Sequence, residues 1–393
     1  MREWRTRRET HIMRILFATT PGIGHSFPTV PLAWALRLAG HEVLYATGGD
    51  ALAVREAGLP VEDVCPGRTV VSMVQETFAA RPDLAAAYAE VDHSSFESTQ
   101  RFYAVLLNQQ TDMMDRYVAV AQEWQPDAVV FSSLGIGGLL AAGKVGVPAF
   151  EHGYGFVHTG RYTRDLREWN AECFERHDAE LPEVLHTIDI APPSVAGDGG
   201  TGGAAWPLRH LPYNGGGVVP EWLHTPSERP RITVTLGTTA PGFGGLGPLD
   251  RVIELAAGTD AEFVLALGDI DTSSLPTLPD NARLAGWVPL NLLLGRSAGL
   301  IHHGGSGTTL AALEAGLPQI LMPDQGERAE SAARVAARGA GLNVRHEEIS
   351  AEHVDALLND GALRKCAAEV RREIHGLPLP AAVAERLVAA VAG

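Results

Sequence analysis

Residues 14–20 (RILFATT) form a nearly unbroken apolar run, the pattern of a strand covered on both faces in a parallel sheet. Residues 28–39 (PTVPLAWALRLA) then read as a helix. Pro28 suits its first turn, and Gly40 stops it before a second strand at 42–47. Strand, helix and strand in that order make a parallel unit with a right-handed crossover. The alternation continues with a helical stretch around 95–124, a strand at 127–131, a helix at 136–145 and a strand at 147–151. Residues 191–220 are too dense in Gly and Pro for element interiors and read as an interdomain connection. A second series begins at 231–237. It runs through a helix after Pro248, strand 262–267, a strand entering Trp287, strand 299–303, helix 307–315, strand 318–322 and helix 327–338. Residues 361–391 form an Ala-rich helical tail with charges on one face. The expectation is α/β, with two Rossmann-like, doubly wound domains facing across a cleft. The domains span 13–205 and 231–375 and are joined by a linker at 206–230. A closing helix at 376–393 can pack back on the first domain. Residues 1–12 (MREWRTRRETHI) are polar and basic. They read as a disordered extension or the product of an upstream start codon, because Arg14 interrupts the apolar stretch and no cleavage pattern follows.

The composition narrows the function. Of 393 residues, 31 are Lys or Arg and 47 Asp or Glu, for a formal charge of -16. Such a surface repels phosphate backbones and anionic lipid, which argues against nucleic-acid or membrane-surface partners. An anionic ligand must then be held by local dipoles and a few placed side chains. The three cysteines, Cys65, Cys173 and Cys366, are odd in number and widely spaced, which suits reduced thiols and a cytoplasmic protein. No apolar run reaches the roughly 18 residues that a membrane span requires.

In doubly wound sheets, ligands sit at the carboxyl ends of strands, so the residues that follow strands are the candidates. After the first strand comes Gly22-Ile23-Gly24-His25-Ser26-Phe27-Pro28. It lacks the third glycine and the acidic residue of a nicotinamide-binding fingerprint. His25, flanked by glycine, can reach the cleft as a general base, or it can simply pack near the helix start. The second candidate is Ile301-His302-His303-Gly304-Gly305-Ser306-Gly307-Thr308-Thr309, a strand entering a Gly-rich turn that opens a helix. Free N–H groups near Ser306–Thr308 and the helix dipole suit a phosphate or pyrophosphate. The turn has no lysine and lacks the P-loop spacing, which disfavours ATP hydrolysis. Neighbouring strand residues point to opposite faces, so His302 and His303 cannot grip one metal ion, and no metal site is expected. Trp287 offers a flat face to a nucleobase, although a lone tryptophan is as readily packing.

On these residues the sequence resembles the GT-B-fold glycosyltransferases of family 1. It is most similar to actinobacterial enzymes that place deoxysugars on macrolides and enediynes, including the calicheamicin-pathway group. The resemblance covers nearly all of 14–391. It is carried by RILFATTPGIGHSFPTVPLAWALRLAGHEV, PYNGGGVVPEWL, RPRITVTLGT and AGWVPLNLLLGRSAGLIHHGGSGTTLAALEAGLPQILMP. It implies that His25 deprotonates the acceptor hydroxyl, that Trp287 stacks on the donor base and that the Val288 backbone reads the base's edge. It further implies that His303, Gly305, Ser306, Gly307 and Thr308 hold the pyrophosphate beside Gly237 and Thr238. Inversion without metal or cofactor follows. The donor is a nucleotide-diphosphate sugar, with thymidine diphosphate preferred over uridine diphosphate, and the acceptor is a hydrophobic small molecule. A homodimer stays open. Phe78, Phe96, Tyr103, Tyr154 and Phe156 can line the acceptor pocket or belong to the core.

Two departures matter. Many relatives hold the histidine with an Asp after the strand matching 127–131, where this chain reads Phe131-Ser132-Ser133-Leu134. Asp112 or Asp115 could replace it, or the dyad could be missing. The family's sugar-binding Asp-Gln pair falls by register on Glu327-Arg328 rather than on Asp324-Gln325, although Glu327 could merely cap the helix. A nucleotide-sugar epimerase or hydrolase, and a non-catalytic nucleotide-sugar-binding helper, remain as alternatives.

Overall fold

The computed structural model describes residues 12–91, 98, 99, 102, 106, 110–133, 135–156, 163–197, 205–237, 245–268, 270–324 and 326–393. Of the residues singled out above, Phe96, Tyr103, Thr238 and Gln325 lie outside this set, as do residues 1–11 of the extension. Among the described residues, strands β1 (Arg14–Ala18), β2 (Glu42–Thr47), β3 (Val61–Asp63), β4 (Ala128–Ser132), β5 (Ala149–His152), β6 (Leu185–Asp189) and β7 (Trp206–Pro207) make one sheet. Its order is β3-β2-β1-β4-β5-β6-β7 and every pairing is parallel. Strands β8 (Arg231–Thr235), β9 (Glu262–Leu265), β10 (Ala282–Leu284), β11 (Gly299–His302), β12 (Gln319–Leu321) and β13 (Gly341–Asn343) make the other. That sheet is parallel in the order β10-β9-β8-β11-β12-β13. The two Rossmann-like domains of a GT-B fold are thus present. The central strands read as apolar runs because helices cover both faces, and Ile15, Phe17, Val130, Ile232, Val234 and Ile301 are fully buried.

Each strand order reverses once, between β1 and β4 and again between β8 and β11. Loops diverge at such a switch point and leave a crevice above the strand ends. The segments after β1 and β11 are the two glycine-rich stretches of the sequence. Topology alone therefore puts both at crevices.

Several elements differ from expectation. The first strand stops at Ala18. Beyond it, Thr19 bonds Ser26 (Oγ1 to Oγ, 2.6 Å) and the Thr20 N–H donates to Ser132 Oγ (3.0 Å). The helix expected from Pro28 is preceded by a one-turn helix, Ile23–Ser26, and a 3₁₀ turn, Phe27–Thr29, before Val30–Leu38. Pro28 has no N–H to donate, which favours this change of winding. His25 consequently lies in a helical turn. The linker expected from 206 begins later, since Trp206–Pro207 pairs with β6 as an edge strand. A two-residue strand is too short to carry a periodic signal and forms on the edge of a sheet that already exists. The tail is two helices, Gly361–Gly376 and Pro380–Ala392, separated where Pro378 and Pro380 interrupt backbone bonding. The second packs on Val30–Leu38. Its Val383, Ala384 and Leu387 join a buried cluster that runs from Ile15 and Phe17 to Leu310, Val335 and Ile374. Among the described residues, no single helix is long and apolar enough to cross a membrane.

Candidate active site

His25 follows β1 at the first switch point. Its backbone is held by the N–H donating to Gly22 O (3.1 Å), and its ring lies on Tyr154 with centroids 4.3 Å apart and planes tilted by 52°. The residue is half-buried, but Nδ1 is sealed from solvent and has no hydrogen-bond partner. This desolvation pushes the imidazole down to about 4, so the ring is neutral at ordinary pH. A neutral imidazole with one face to a cleft can accept a proton.

At the second switch point, His302 and His303 separate in role. His302 is fully buried; its Nδ1 accepts from the Gly304 N–H (3.1 Å), so Nε2 carries the proton and donates to Gln319 Oε1 (2.8 Å). Both nitrogens are engaged, which makes His302 a structural residue of the turn. His303 lies just beyond the end of β11, between Gly237 and Gly305. A Cβ at Gly237 would stand 2.5 Å from His303 Cε1, and one at Gly305 would stand 2.5 Å from Nε2. Gly237 also has φ +68°, so it is required twice over. Burial first, then the charge of Arg328, holds His303 well below the usual imidazole range. The helix Ser306–Ala315 opens on Gly305 without a side-chain cap. The N–H groups of Ser306, Gly307 and Thr308 have no intrahelical partner by geometry and point with the dipole toward an incoming anion.

Glu327 begins the helix Glu327–Arg338 and connects the two crevices. It is half-buried, accepts from Ser306 Oγ and is hydrogen-bonded by the Tyr154 hydroxyl. Burial raises its carboxyl, while these two bonds and Arg328 pull it back. Tyr154 is pushed well above the usual phenol range, by burial first and then by Glu327, and stays a neutral donor. The approach is close, since a Cβ on Gly155 would stand 2.5 Å from Ser306 Oγ and 2.9 Å from Glu327 Oε1. Arg328 pairs with Asp324 (Nη1 to Oδ2, 2.6 Å), and its charge is still felt at His303 and Glu327. Of the two registers weighed for the acidic residue, the structure puts Glu327 beside Ser306 and leaves Asp324 60% exposed in its side chain.

Trp287 is 45% exposed and donates from Nε1 to Gly216 O (3.3 Å), so the glycine run of the linker braces its edge and leaves ring surface open. The adjacent Val288 side chain is buried with Leu223, Val264 and Leu293, which fixes the backbone beside the indole.

Residues 34–237 match the family model described as erythromycin biosynthesis protein CIII-like, N-terminal domain, and residues 250–390 match the C-terminal domain model of the same name. The chain belongs to this family. It is a glycosyltransferase of antibiotic biosynthesis. The elloramycin glycosyltransferase of Streptomyces olivaceus is 40% identical over 95% of this chain and 97% of its own. Among solved structures, the glycosyltransferase SnogD from Streptomyces nogalater superposes with a TM-score of 0.82 at 37% identity, covering 97% of this chain and all of its own. The glycosyltransferase VinC in complex with dTDP gives 0.78 at 27% identity, with 96% and 99% covered.

One residue singled out for this glycosyltransferase is corrected. Asp112 does not hold His25. Its carboxylate, 67% exposed, pairs with Arg68 (2.5 Å), and the Nδ1 it would have served is unpartnered. Asp115 is likewise engaged, with Arg176 (2.9 Å) and His177 (2.9 Å). Both lie on the helix Thr111–Trp124, whose apolar face carries Met113, Met114, Tyr117 and Val118 into the core and turns the acidic positions outward. Conversely, Tyr154, which the sequence offers as pocket wall or core, stands at the site. Its position directly after β5, between Gly153 and Gly155, was the available signal, because such residues stand over the strand ends.

Proposed function

We propose that this glycosyltransferase transfers a sugar from thymidine diphosphate to a hydroxyl of a hydrophobic natural-product acceptor, inverting the anomeric centre in one displacement with His25 as base. The observation that carries this reading is the contact across the cleft. The Tyr154 ring lies on His25 while its hydroxyl bonds Glu327, which also accepts from Ser306 at the phosphate-binding turn. The base and the anion site are thereby linked through Tyr154 and Glu327. The dTDP complex of VinC and the antibiotic named for the elloramycin enzyme support the donor and acceptor classes.

In this mechanism, the acceptor O–H bond breaks and its proton passes to His25. The oxygen's electron pair forms the new bond to the anomeric carbon. The anomeric C–O bond to the β-phosphate breaks, and its electrons leave with the nucleoside diphosphate. The growing charge on that leaving group is met by the N–H groups of Ser306–Thr308, the helix dipole and His303. Incubation with a TDP-sugar and a panel of aglycones tests the reading by mass spectrometry. Aglycone-dependent release of TDP supports it; release or sugar isomerisation without aglycone, or binding alone, contradicts it.

Two further outcomes are expected. Because backbone dipoles neutralise the diphosphate in this scheme, EDTA should leave the initial rate unchanged; a collapse reversed by Mg²⁺ would refute that part. Glu327 is half-buried and bonded to Ser306 at the turn, whereas Asp324 is exposed. Glu327→Ala should therefore lower kcat/KM by about ten-fold or more, the effect of one lost hydrogen bond of ~1.5 kcal/mol, and Asp324→Ala should cost less. The reverse ranking would move the sugar contact to Asp324.

A further inference from the structure

His25 lacks the support that a histidine base ordinarily uses. An imidazole that accepts a proton on one nitrogen becomes a cation with two N–H groups. A carboxylate on the far nitrogen both fixes the tautomer and stabilises that cation. Here Nδ1 is sealed and unpartnered. Among the described residues, the carboxylates around it are committed elsewhere. Asp112 and Asp115 face Arg68 and Arg176. Glu327 takes its bonds from Ser306 and Tyr154, and the charge of the buried Glu151 is felt at Tyr154. At the end of β4, Ser132 Oγ accepts from the Thr20 N–H and offers no charge. The ring of Tyr154, itself buried, packs on the imidazole and supplies no formal charge. The histidine is therefore positioned by packing, and the cation it would form is left without compensation.

We infer that the acceptor hydroxyl is an acidic one, a phenol or an enol, because a base without a carboxylate can only complete the transfer of a proton that is already loosely held. The inference rests on the glycosyltransferase reading with His25 as base. Its size follows from acidity. A phenol has a pKa of about 10, against about 16 for a water-like hydroxyl, so the proton transfer differs by about six decades between the two classes. If roughly half of that difference is expressed in the transition state, phenols lead alcohols by about 10³. Burial of His25 acts in the same direction, since it weakens the base further.

The test uses the whole protein with a TDP-sugar and acceptors built on one polycyclic skeleton. One set carries the hydroxyl on an aromatic ring and the other carries it on the saturated counterpart. TDP binding is followed in parallel by calorimetry. Phenols are expected to exceed alcohols by at least about 100-fold in kcat at saturating acceptor. In His25→Ala, a phenol un-ionised at the assay pH should lose about 10²-fold or more, and one that is ionised before binding should lose less than about ten-fold. Alcohols turned over within ten-fold of phenols, or an equal loss in His25→Ala across the ladder, would overturn the acidity inference and leave the transferase reading standing. Transfer to neither set, with TDP bound normally, would overturn the transferase reading and this inference with it.

Discussion

His25→Ala should lower kcat by about 10² to 10⁴ on an acceptor whose hydroxyl is un-ionised at the assay pH, and leave the Kd for TDP within about two-fold. The split follows from where the residue stands. His25 belongs to the turn after β1, whereas the anion site is built from the turn after β11 and the start of Ser306–Ala315. The short helix that carries His25 is held by backbone bonds to Gly22 O, which the substitution keeps. What is lost is the proton acceptor and the ring that covers Tyr154. Single-turnover rates and calorimetric TDP titrations measure the two quantities separately. Unchanged turnover would remove His25 from the chemistry. A parallel loss of TDP affinity would mean that the Tyr154–Glu327–Ser306 contact depends on the imidazole, making its role structural.

Acid should destabilise the fold well above the range where carboxylates titrate, by about 5 kcal/mol between pH 8 and pH 5. Among the described residues, three histidines other than the proposed base are buried: His152, His210 and His302. Burial is the leading cause for each and pushes them to about 4, about 3 and about 4 respectively, and His210 is pressed further by the neighbouring His152. Their folded values lie below the ordinary 6.5, so between pH 6.5 and about 4 the unfolded chain binds more protons than the folded one. Stability is then fully present above pH 6.5 and is lost as pH falls through that window. At pH 5 the loss is about 2 kcal/mol for each histidine, reduced somewhat because His152 and His210 interact. Glu327, shifted upward, works in the opposite direction and offsets a little. With total stabilities of about 5–15 kcal/mol for typical domains, this loss approaches global unfolding. Urea midpoints at pH 8, 6.5 and 5 check it. A midpoint that stays level down to pH 5 would show that these imidazoles reach water in the folded state.

Much of this was legible from the residues in order. Runs rich in apolar and β-branched residues at 14–18, 128–131, 231–235 and 299–302 specify strands buried on both faces in a parallel sheet. Their alternation with helices specifies two doubly wound sheets, and that topology brings the His25 and Ser306 segments to crevices. The helix Glu327–Arg338 was readable from its periodicity, and its first residue is the one that reaches Ser306. The edge strands β3, β7 and β13 were not readable, because their two or three residues are not flanked by an apolar run of their own. Nor were the partners of the site. By place in the chain Asp112 was one candidate partner for His25, yet it pairs with Arg68, 44 positions away. Tyr154 meets His25 on one side and Glu327, from the other sheet's domain, on the other. Local pattern determines which face of an element is apolar, because that depends on neighbours one turn or one pleat away. Which polar side chains meet across a cleft depends on how separately formed layers dock, and that is decided only when the buried cluster joining Ile15 to Val335 and Leu387 has closed.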